Sequence, residues 1–118
     1  MRNEESKLQK ACIKYFRLQY PRYKMLLFHV PNGGYRTATT ARNMKLEGVV
    51  AGVSDLILMI PANGYHGLCI EMKTPKGRQT PKQKQFEQAV KAMGYCYVIV
   101  RSIDQFAIMI KQWIDDNR

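Results

Sequence analysis

The sequence predicts an α/β (α+β) domain in which helices flank a mixed central β-sheet. Apolar residues recur at helical spacing near both ends of the chain, and short apolar, β-branched runs bounded by turn residues lie between them. The predicted order is helix, strand, short helix, strand, strand, helix, strand, helix. A length of 118 residues fits one compact core, so we expect a single domain over residues 1–118.

The first half of the chain contains two helix patterns and one strand pattern. Asn3 stands where it can cap the first helix, Pro21 stops that helix, and Gly48 closes the second one. The apolar run between the helices ends in the turn residues Pro-Asn-Gly-Gly. We therefore expect a helix over residues 4–19, a strand over 25–30, a turn over 31–34 and a short helix over 40–47.

The second half reads as a hairpin followed by a helix, a strand and a last helix. Asn63-Gly64 is a hairpin turn signal, and Thr80-Pro81-Lys82-Gln83 has the form of a capping box with proline at the first helical position. Gly94 ends that helix, and Ser102 begins the next one. We therefore expect strands over residues 56–60, 67–73 and 95–100, and helices over 81–93 and from 102 onward.

The charge of the chain favours a polyanionic partner. Nineteen Lys and Arg against nine Asp and Glu give a formal net charge of +10, which makes nucleic acid the first partner to consider. No stretch is apolar enough to cross a membrane, and the polar N-terminus does not resemble a secretory signal. We expect an intracellular location, in the cytoplasm or in the host cytoplasm of a viral protein. The three widely spaced cysteines read as reduced core thiols.

Two short motifs bring acidic and basic side chains into apolar strands. Gly52-Val53-Ser54-Asp55 precedes one predicted strand, and Ile70-Glu71-Met72-Lys73 ends the next. Because side chains alternate along a strand, Glu71 and Lys73 point to the same face, and Asp55 can lie beside them on the adjacent strand. Burial of such polar groups is costly unless they are paired or bind a cation. The pattern therefore predicts one shared site.

Phosphodiester hydrolysis is the chemistry that this set of residues suits. The carboxylates of Asp55 and Glu71, with the carbonyl oxygen of Met72, can hold Mg2+, a hard cation that prefers oxygen ligands. The amine of Lys73 can orient or help deprotonate the attacking water and can offset charge in the transition state. We expect Mg2+ as the cofactor, with Mn2+ able to substitute.

With these motifs the chain resembles the VRR-NUC branch of the PD-(D/E)XK nucleases, in which Gly-Val-x-Asp precedes Ile-Glu-x-Lys. The resemblance extends to the helix with Glu5-x-x-x-Gln9, to Pro-Asn-Gly-Gly with Arg36, and to the helix that bears Gln83 and is closed by Gly94. It covers nearly the whole chain and implies a restriction-endonuclease-like core.

By this resemblance, Asp55 and Glu71 match the metal-binding acids, Lys73 the active-site lysine, Gln83 the glutamine of the following helix and Glu5 the acid of the first helix. The implied function is metal-dependent, structure-selective DNA endonuclease activity, similar to that of a dimeric Holliday junction resolvase, leaving a 5′-phosphate and a 3′-hydroxyl. Three alternatives stay open: a flap- or nick-directed nuclease, a non-catalytic DNA-binding module on the same fold, and a sequence-specific restriction enzyme.

Several of these assignments have a second interpretation. Glu4 lies beside Glu5 and also borders the apolar stripe of the helix, and acids in a first helical turn are favoured by the helix dipole alone. Gln83 has the alternative role of completing the capping box headed by Thr80, with no part in the active site. Further cations can grip DNA phosphates or simply be solvated. These are Lys76, Arg78, Lys82 and Lys84 after the second motif, with Arg36 and Arg42 around the Pro-Asn-Gly-Gly turn.

Overall fold

One mixed sheet organises the chain, whose computed structural model describes residues 2–31 and 37–117. Within these residues the elements are α1 (Arg2–Gln19), a 3-10 helix (Pro21–Leu26), β1 (Leu27–His29), α2 (Ala38–Leu46), β2 (Leu56–Leu58), β3 (Leu68–Met72), α3 (Pro81–Ala92), β4 (Cys96–Val100) and α4 (Ile103–Asp115). The Asn-Gly-Gly part of the predicted turn, and Arg36, lie outside the described residues.

The sheet has the strand order β1-β2-β3-β4. The first three strands pair antiparallel, with Leu56 opposite Ile70, whereas β3 and β4 pair parallel, with Glu71 opposite Ile99. A parallel pair needs a crossover connection, which α3 supplies between β3 and β4. The predicted fold class, a mixed sheet flanked by helices, is confirmed.

The main hydrophobic core fills one face of the sheet. Alternate residues of β3 contribute Leu68, Ile70 and Met72 to it, and α1 and α4 pack together over the same face. The largest buried side chains from these helices are Phe16 and Phe106. Near the far end of α4, the buried indole of Trp113 donates a 2.7 Å hydrogen bond to the carbonyl oxygen of Ile60.

The opposite face of the sheet carries Glu71 and Tyr97 and is covered by α3. The ring of Phe86 on α3 meets that of Tyr97 edge-on, with ring centroids 6.4 Å apart. All five residues of β3 are buried, as expected for a strand covered by helices on both faces. A charged residue in this strand is therefore surrounded by protein on every side.

Several predicted boundaries were wrong by one or two residues, including the start of α2, which is Ala38 and not Thr40. Helix α1 already starts at Arg2, so Asn3 lies in its first turn and not at the capping position. The predicted strand over residues 25–30 is shorter, because Pro21 starts a 3-10 helix that continues to Leu26 and leaves Met25 84% exposed. The predicted strand over residues 56–60 ends at Leu58.

The predicted hairpin turn at Asn63-Gly64 and the predicted starts of α3 and α4 were correct. Asn63 and Gly64 both have positive φ angles, 52° and 83°, as a two-residue hairpin turn requires. Helix α3 has the reciprocal capping box of Thr80 and Gln83, and the hydroxyl of Ser102 caps α4. Short-range hydrogen-bonding chemistry thus sets these boundaries.

The cysteines carry no disulfide, and the helices are not of the membrane-spanning type, within the described residues. Within the described residues, all three cysteines are free, and burial raises the pKa of the Cys12 thiol to about 12, so it stays protonated at neutral pH. None of the described helices combines the length and the apolar character that a membrane crossing requires.

Candidate active site

Asp55 stands at the start of β2 and is tied to both neighbouring strands. Its Oδ2 atom accepts a 2.7 Å hydrogen bond from the backbone N–H of Met72. Its carbonyl oxygen accepts hydrogen bonds from the backbone N–H of Val30, at 3.0 Å, and from Nδ1 of His29, at 2.7 Å. Burial raises the pKa of the Asp55 carboxyl, the hydrogen bond from Met72 opposes this shift, and the nearby charge of Glu71 adds to it.

Glu71 is fully buried, and its two carboxylate oxygens have different surroundings. Oε1 accepts hydrogen bonds from the hydroxyl of Tyr97, at 2.6 Å, and from Nε2 of Gln79, at 2.9 Å. Oε2 has no hydrogen-bond partner among the described residues and lies 3.6 Å from Nζ of Lys73, which is itself buried. Hydrogen bonds to Oε1 thus fix the carboxylate, while Oε2 faces the ammonium of Lys73 without accepting a hydrogen bond from a described residue.

Tyr97 and Gln79 hold Glu71, and sequence reasoning did not find either of them. Burial, followed by the hydrogen bond and charge of Glu71, raises the pKa of Tyr97, so its phenol stays a donor. Gln79 also donates a 2.9 Å hydrogen bond to Oε1 of Glu87 on α3. The available signal was strand alternation, which places Tyr97 on the same face as Glu71, but its aromatic ring was interpreted as core packing alone.

A cleft of about 290 Å³ opens between α1 and the strands that carry the acids. Asp55 and Met72 line the cleft on the side of the sheet, and the half-buried side chains of Glu5 and Gln9 line it on the side of α1. Glu4 is exposed and does not line this cleft. The structure therefore brings Glu5, rather than Glu4, to the same cavity as Asp55.

The sequence matches the family model of the VRR-NUC domain over residues 3–104. The chain belongs to the VRR-NUC family. A solved structure described as a VRR_NUC domain protein is similar to it, with a TM-score of 0.82 and 30% identity over 96% of this chain and 89% of that chain. No curated protein sequence matches. The family gives the chain a nuclease-type fold and suggests DNA as its substrate.

In this VRR-NUC domain the Gly-Val-Ser-Asp motif touches the first turn of α3. Gly52 has a φ of +87°, and a Cβ atom added there would lie 2.4 Å from the carbonyl oxygen of Lys82. Because this distance is too short for a Cβ atom, the position requires glycine. Gln83, three residues into the box, uses Oε1 to accept a 2.8 Å hydrogen bond from the backbone N–H of Thr80. Gln83 thus orders the start of α3, while Gln79 contacts the buried acid.

The basic loop after β3 is held by Arg101, another residue that the sequence did not reveal. Its Nη1 atom donates to the carbonyl oxygens of Thr74, at 2.8 Å, and of Gly77, at 2.7 Å, with a longer contact of 3.3 Å to Pro75. The predicted phosphate-binding cations around this loop and on α2 are all exposed. These are Lys76, Arg78, Lys82, Lys84 and Arg42.

The donors of the VRR-NUC site fit a hard divalent cation. Among the described residues no three His, Cys, Asp or Glu side chains cluster closely enough to form a metal site by themselves. The available set is instead two carboxylates, Asp55 and Glu71, with the backbone carbonyl of Met72 between Glu71 and Lys73. Burial of Oε2 of Glu71 without a hydrogen-bond donor is costly, and the Lys73 ammonium at 3.6 Å offsets this cost only in part, so the oxygen can still bind a divalent cation.

Proposed function

We propose that this VRR-NUC domain is a metal-dependent endodeoxyribonuclease that hydrolyses phosphodiester bonds. The observation that carries the proposal is the Glu71 carboxylate, fully buried, with Oε2 free of hydrogen bonds among the described residues and in an ion pair, 3.6 Å from Nζ of Lys73. A structural role alone would favour well-packed apolar residues over a buried ion pair at these two positions. Membership of a nuclease family and a net charge of +10 support DNA as the substrate.

Asp55, Glu71 and the carbonyl oxygen of Met72 would hold Mg2+, with Mn2+ able to substitute. When bound, such an ion polarises the phosphate and offsets the charge that develops on its oxygens. The ammonium group of Lys73 orients the attacking water and stabilises the transition state electrostatically. Glu5 accepts a hydrogen bond from solvent or substrate at the other wall of the cleft. Gln83 supports the site by ordering the start of α3.

The substrate that we propose is branched DNA, with cleavage similar to that of a Holliday junction resolvase and products carrying a 5′-phosphate and a 3′-hydroxyl. Exposed cations next to the site would grip phosphates that flank the cut. Those proposed for this role are Arg36, Lys76, Arg78, Lys82 and Lys84. The free cysteines suit a reducing compartment, so we place the activity inside the cell, in the cytoplasm or in a host cytoplasm.

Symmetric cutting of a four-way junction requires two active sites, so the proposal includes a two-fold homodimer. Helix α4 buries Phe106, Ile110 and Trp113 in the core but leaves Ile108 70% exposed, and Phe28 on the edge strand β1 is 38% exposed. These are the candidate contact surfaces. Sedimentation at cleavage concentrations should give twice the 13.7 kDa chain mass, and a monomer that cuts both strands of a junction would contradict this part.

The deciding experiment is cleavage of a labelled four-way junction, a 5′ flap, a nicked duplex and a linear duplex with Mg2+ and with EDTA. We expect metal-dependent cutting with the junction preferred. Lys73→Met should lower the rate by about a thousandfold, because removing a group that stabilises transition-state charge costs roughly 10²–10³. Lys111→Met is the matched control, since it removes an exposed ammonium that pairs with Asp115.

Folding of each variant is checked by circular dichroism. If Lys73→Met does not fold, Lys73→Arg, which keeps a positive charge, is measured in its place. A wild type that leaves every substrate intact while still binding DNA in a salt-sensitive way would overturn the nuclease proposal in favour of a non-catalytic DNA-binding module. Preferred cutting of flaps or nicks would replace the junction assignment. Cutting that follows a base sequence regardless of branching would indicate a restriction enzyme.

A further inference from the structure

We propose that the outer face of α1 is a second DNA-contacting surface, a track of three cations that leads away from the active-site cleft. The track consists of Lys10, Lys14 and Arg17. This proposal rests on the proposed function. It adds the path that the phosphate backbone of the DNA follows beyond the cut site. The cations predicted from the sequence all lie elsewhere, around the loop that follows β3, in α2 or in the Pro-Asn-Gly-Gly turn.

The track is continuous with the cleft. A groove of about 380 Å³ runs along α1 and is lined by the three cations, by Ile13 and Leu18, and by Gln9. Gln9 also lines the cleft that contains Asp55. One side chain therefore borders both cavities, and a polymer that occupies the cleft can continue into the groove without leaving the protein surface.

The cations of the track are free to bind an external anion. All three are exposed, and none forms an ion pair with another residue in the described part of the chain. Two exposed lysines elsewhere differ in this respect, because Lys91 on α3 lies 3.4 Å from Glu87 and Lys111 on α4 lies 2.9 Å from Asp115. The acids of α1 are confined to its first turn, away from the track.

The spacing of the track suits a phosphate backbone. Positions 10, 14 and 17 follow the three- and four-residue spacing that places side chains on one side of a helix. At roughly 1.5 Å per residue they span about 10 Å, which corresponds to roughly three nucleotides of one duplex strand. Ile13 is half-buried and Leu18 is 70% exposed, so an apolar floor lies between the cations where sugars can pack.

The test measures binding without catalysis. Anisotropy of a labelled duplex and a labelled junction is recorded in EDTA, and again with Ca2+, over a range of NaCl concentrations. The probe protein is Lys10→Gln/Lys14→Gln, and the matched control is Lys91→Gln/Lys111→Gln, which removes the same charge from two other helices. Arg17→Gln is the third variant. All substitutions are at exposed positions, so the melting temperatures should stay close to that of the wild type.

We expect the Lys10/Lys14 variant to bind about tenfold more weakly near 0.1 M salt, with a plot of log K against log salt shallower by about 2, since each lost phosphate contact removes roughly 0.9. Arg17→Gln should make the plot shallower by about 1, and the control should change binding less than about twofold. If both double variants bind DNA equally weakly, the loss reflects net charge alone, and the proposed track is wrong. Unchanged binding by the Lys10/Lys14 variant, or a wild type that binds no DNA, would also contradict the proposal.

The outcome is separable from that of the nuclease proposal. If Mg2+ supports no cleavage but the track variants alone weaken binding, the track stands and the catalytic assignment fails. If the wild type cleaves and the track variants bind and cleave as it does, the track fails and the catalytic assignment stands.

Discussion

Asp55→Asn is expected to lose at least about a thousandfold of the cleavage rate while unfolding, in EDTA, at the same temperature as the wild type or a higher one. Burial raises the pKa of Asp55, so its charged form disfavours the folded state at neutral pH. The asparagine removes that charge, and its Oδ1 atom can still accept the hydrogen bond from the backbone N–H of Met72. Activity and stability should therefore move in opposite directions.

The sign of the pH dependence follows from the raised pKa. A carboxyl that holds its proton more tightly in the folded state contributes stability at low pH and loses it as the pH rises through its folded-state pKa. The stability advantage of Asp55→Asn should thus be present at neutral pH and should vanish below the usual aspartate value of 3.8. Melts between about pH 3 and pH 8 in EDTA measure this difference.

The same melts test metal binding. A ligand that binds only the folded state stabilises it by about 2.7 kcal/mol at a hundred times its Kd, so Mg2+ should raise the melting temperature of the wild type by several degrees. It should not raise that of Asp55→Asn. Asp104→Asn is the control, because this acid is exposed in the first turn of α4. An Asp55 variant that keeps the full Mg2+ response would remove Asp55 from the metal-binding set.

Glu71→Gln is expected to abolish cleavage and to destabilise the fold by roughly 3 kcal/mol, because removing one member of a buried ion pair leaves the other charge uncompensated. The remaining charge is that of Lys73, only 7% exposed and 3.6 Å from the glutamate oxygen. The glutamine can still accept hydrogen bonds from Tyr97 and Gln79, so the loss should come from the charge and not from the polar contacts.

A double variant separates charge from packing. Adding Lys73→Met to Glu71→Gln removes the unpaired ammonium, and urea unfolding should show recovery of most of the lost stability without recovery of cleavage. Glu87→Gln is the matched control, since this acid also accepts a hydrogen bond from Gln79 but is only half-buried on α3, where it pairs with the exposed Lys91. A double variant no more stable than Glu71→Gln would show that the two residues do not stabilise the fold as an ion pair.

Local sequence patterns were sufficient to predict that Asp55, Glu71 and Lys73, the candidate residues on neighbouring strands, lie close together. Strand alternation places Glu71 and Lys73 on one face, and the hairpin turn at Asn63-Gly64 brings Asp55 beside them. The spacing of Glu5 to Gln9 favoured the acid that the structure places on the cleft. These inferences need only short-range geometry, which periodicity and turn chemistry encode.

The residues that sequence reasoning missed act over long distances along the chain. Tyr97 reaches Glu71 across 26 positions, and Arg101 reaches Thr74 across 27. The parallel pairing of β3 with β4 creates both contacts, and no periodic pattern specifies which polar atoms such a pairing will join. Gln79 was missed because it lies in a loop, where neither helical nor strand periodicity predicts the direction of a side chain.

The hydrogen bond between the indole of Trp113 and the carbonyl of Ile60 fixes a buried tryptophan whose intrinsic fluorescence can report unfolding of the chain. Trp113 is the sole tryptophan of the sequence, is 7% exposed and lies outside the set of residues that line the cleft. Its emission should be blue-shifted in the folded protein and should move to longer wavelength when α4 leaves the sheet. Because the signal arises away from the cleft, unfolding of every candidate-site variant can be followed with an optical probe that those substitutions do not touch.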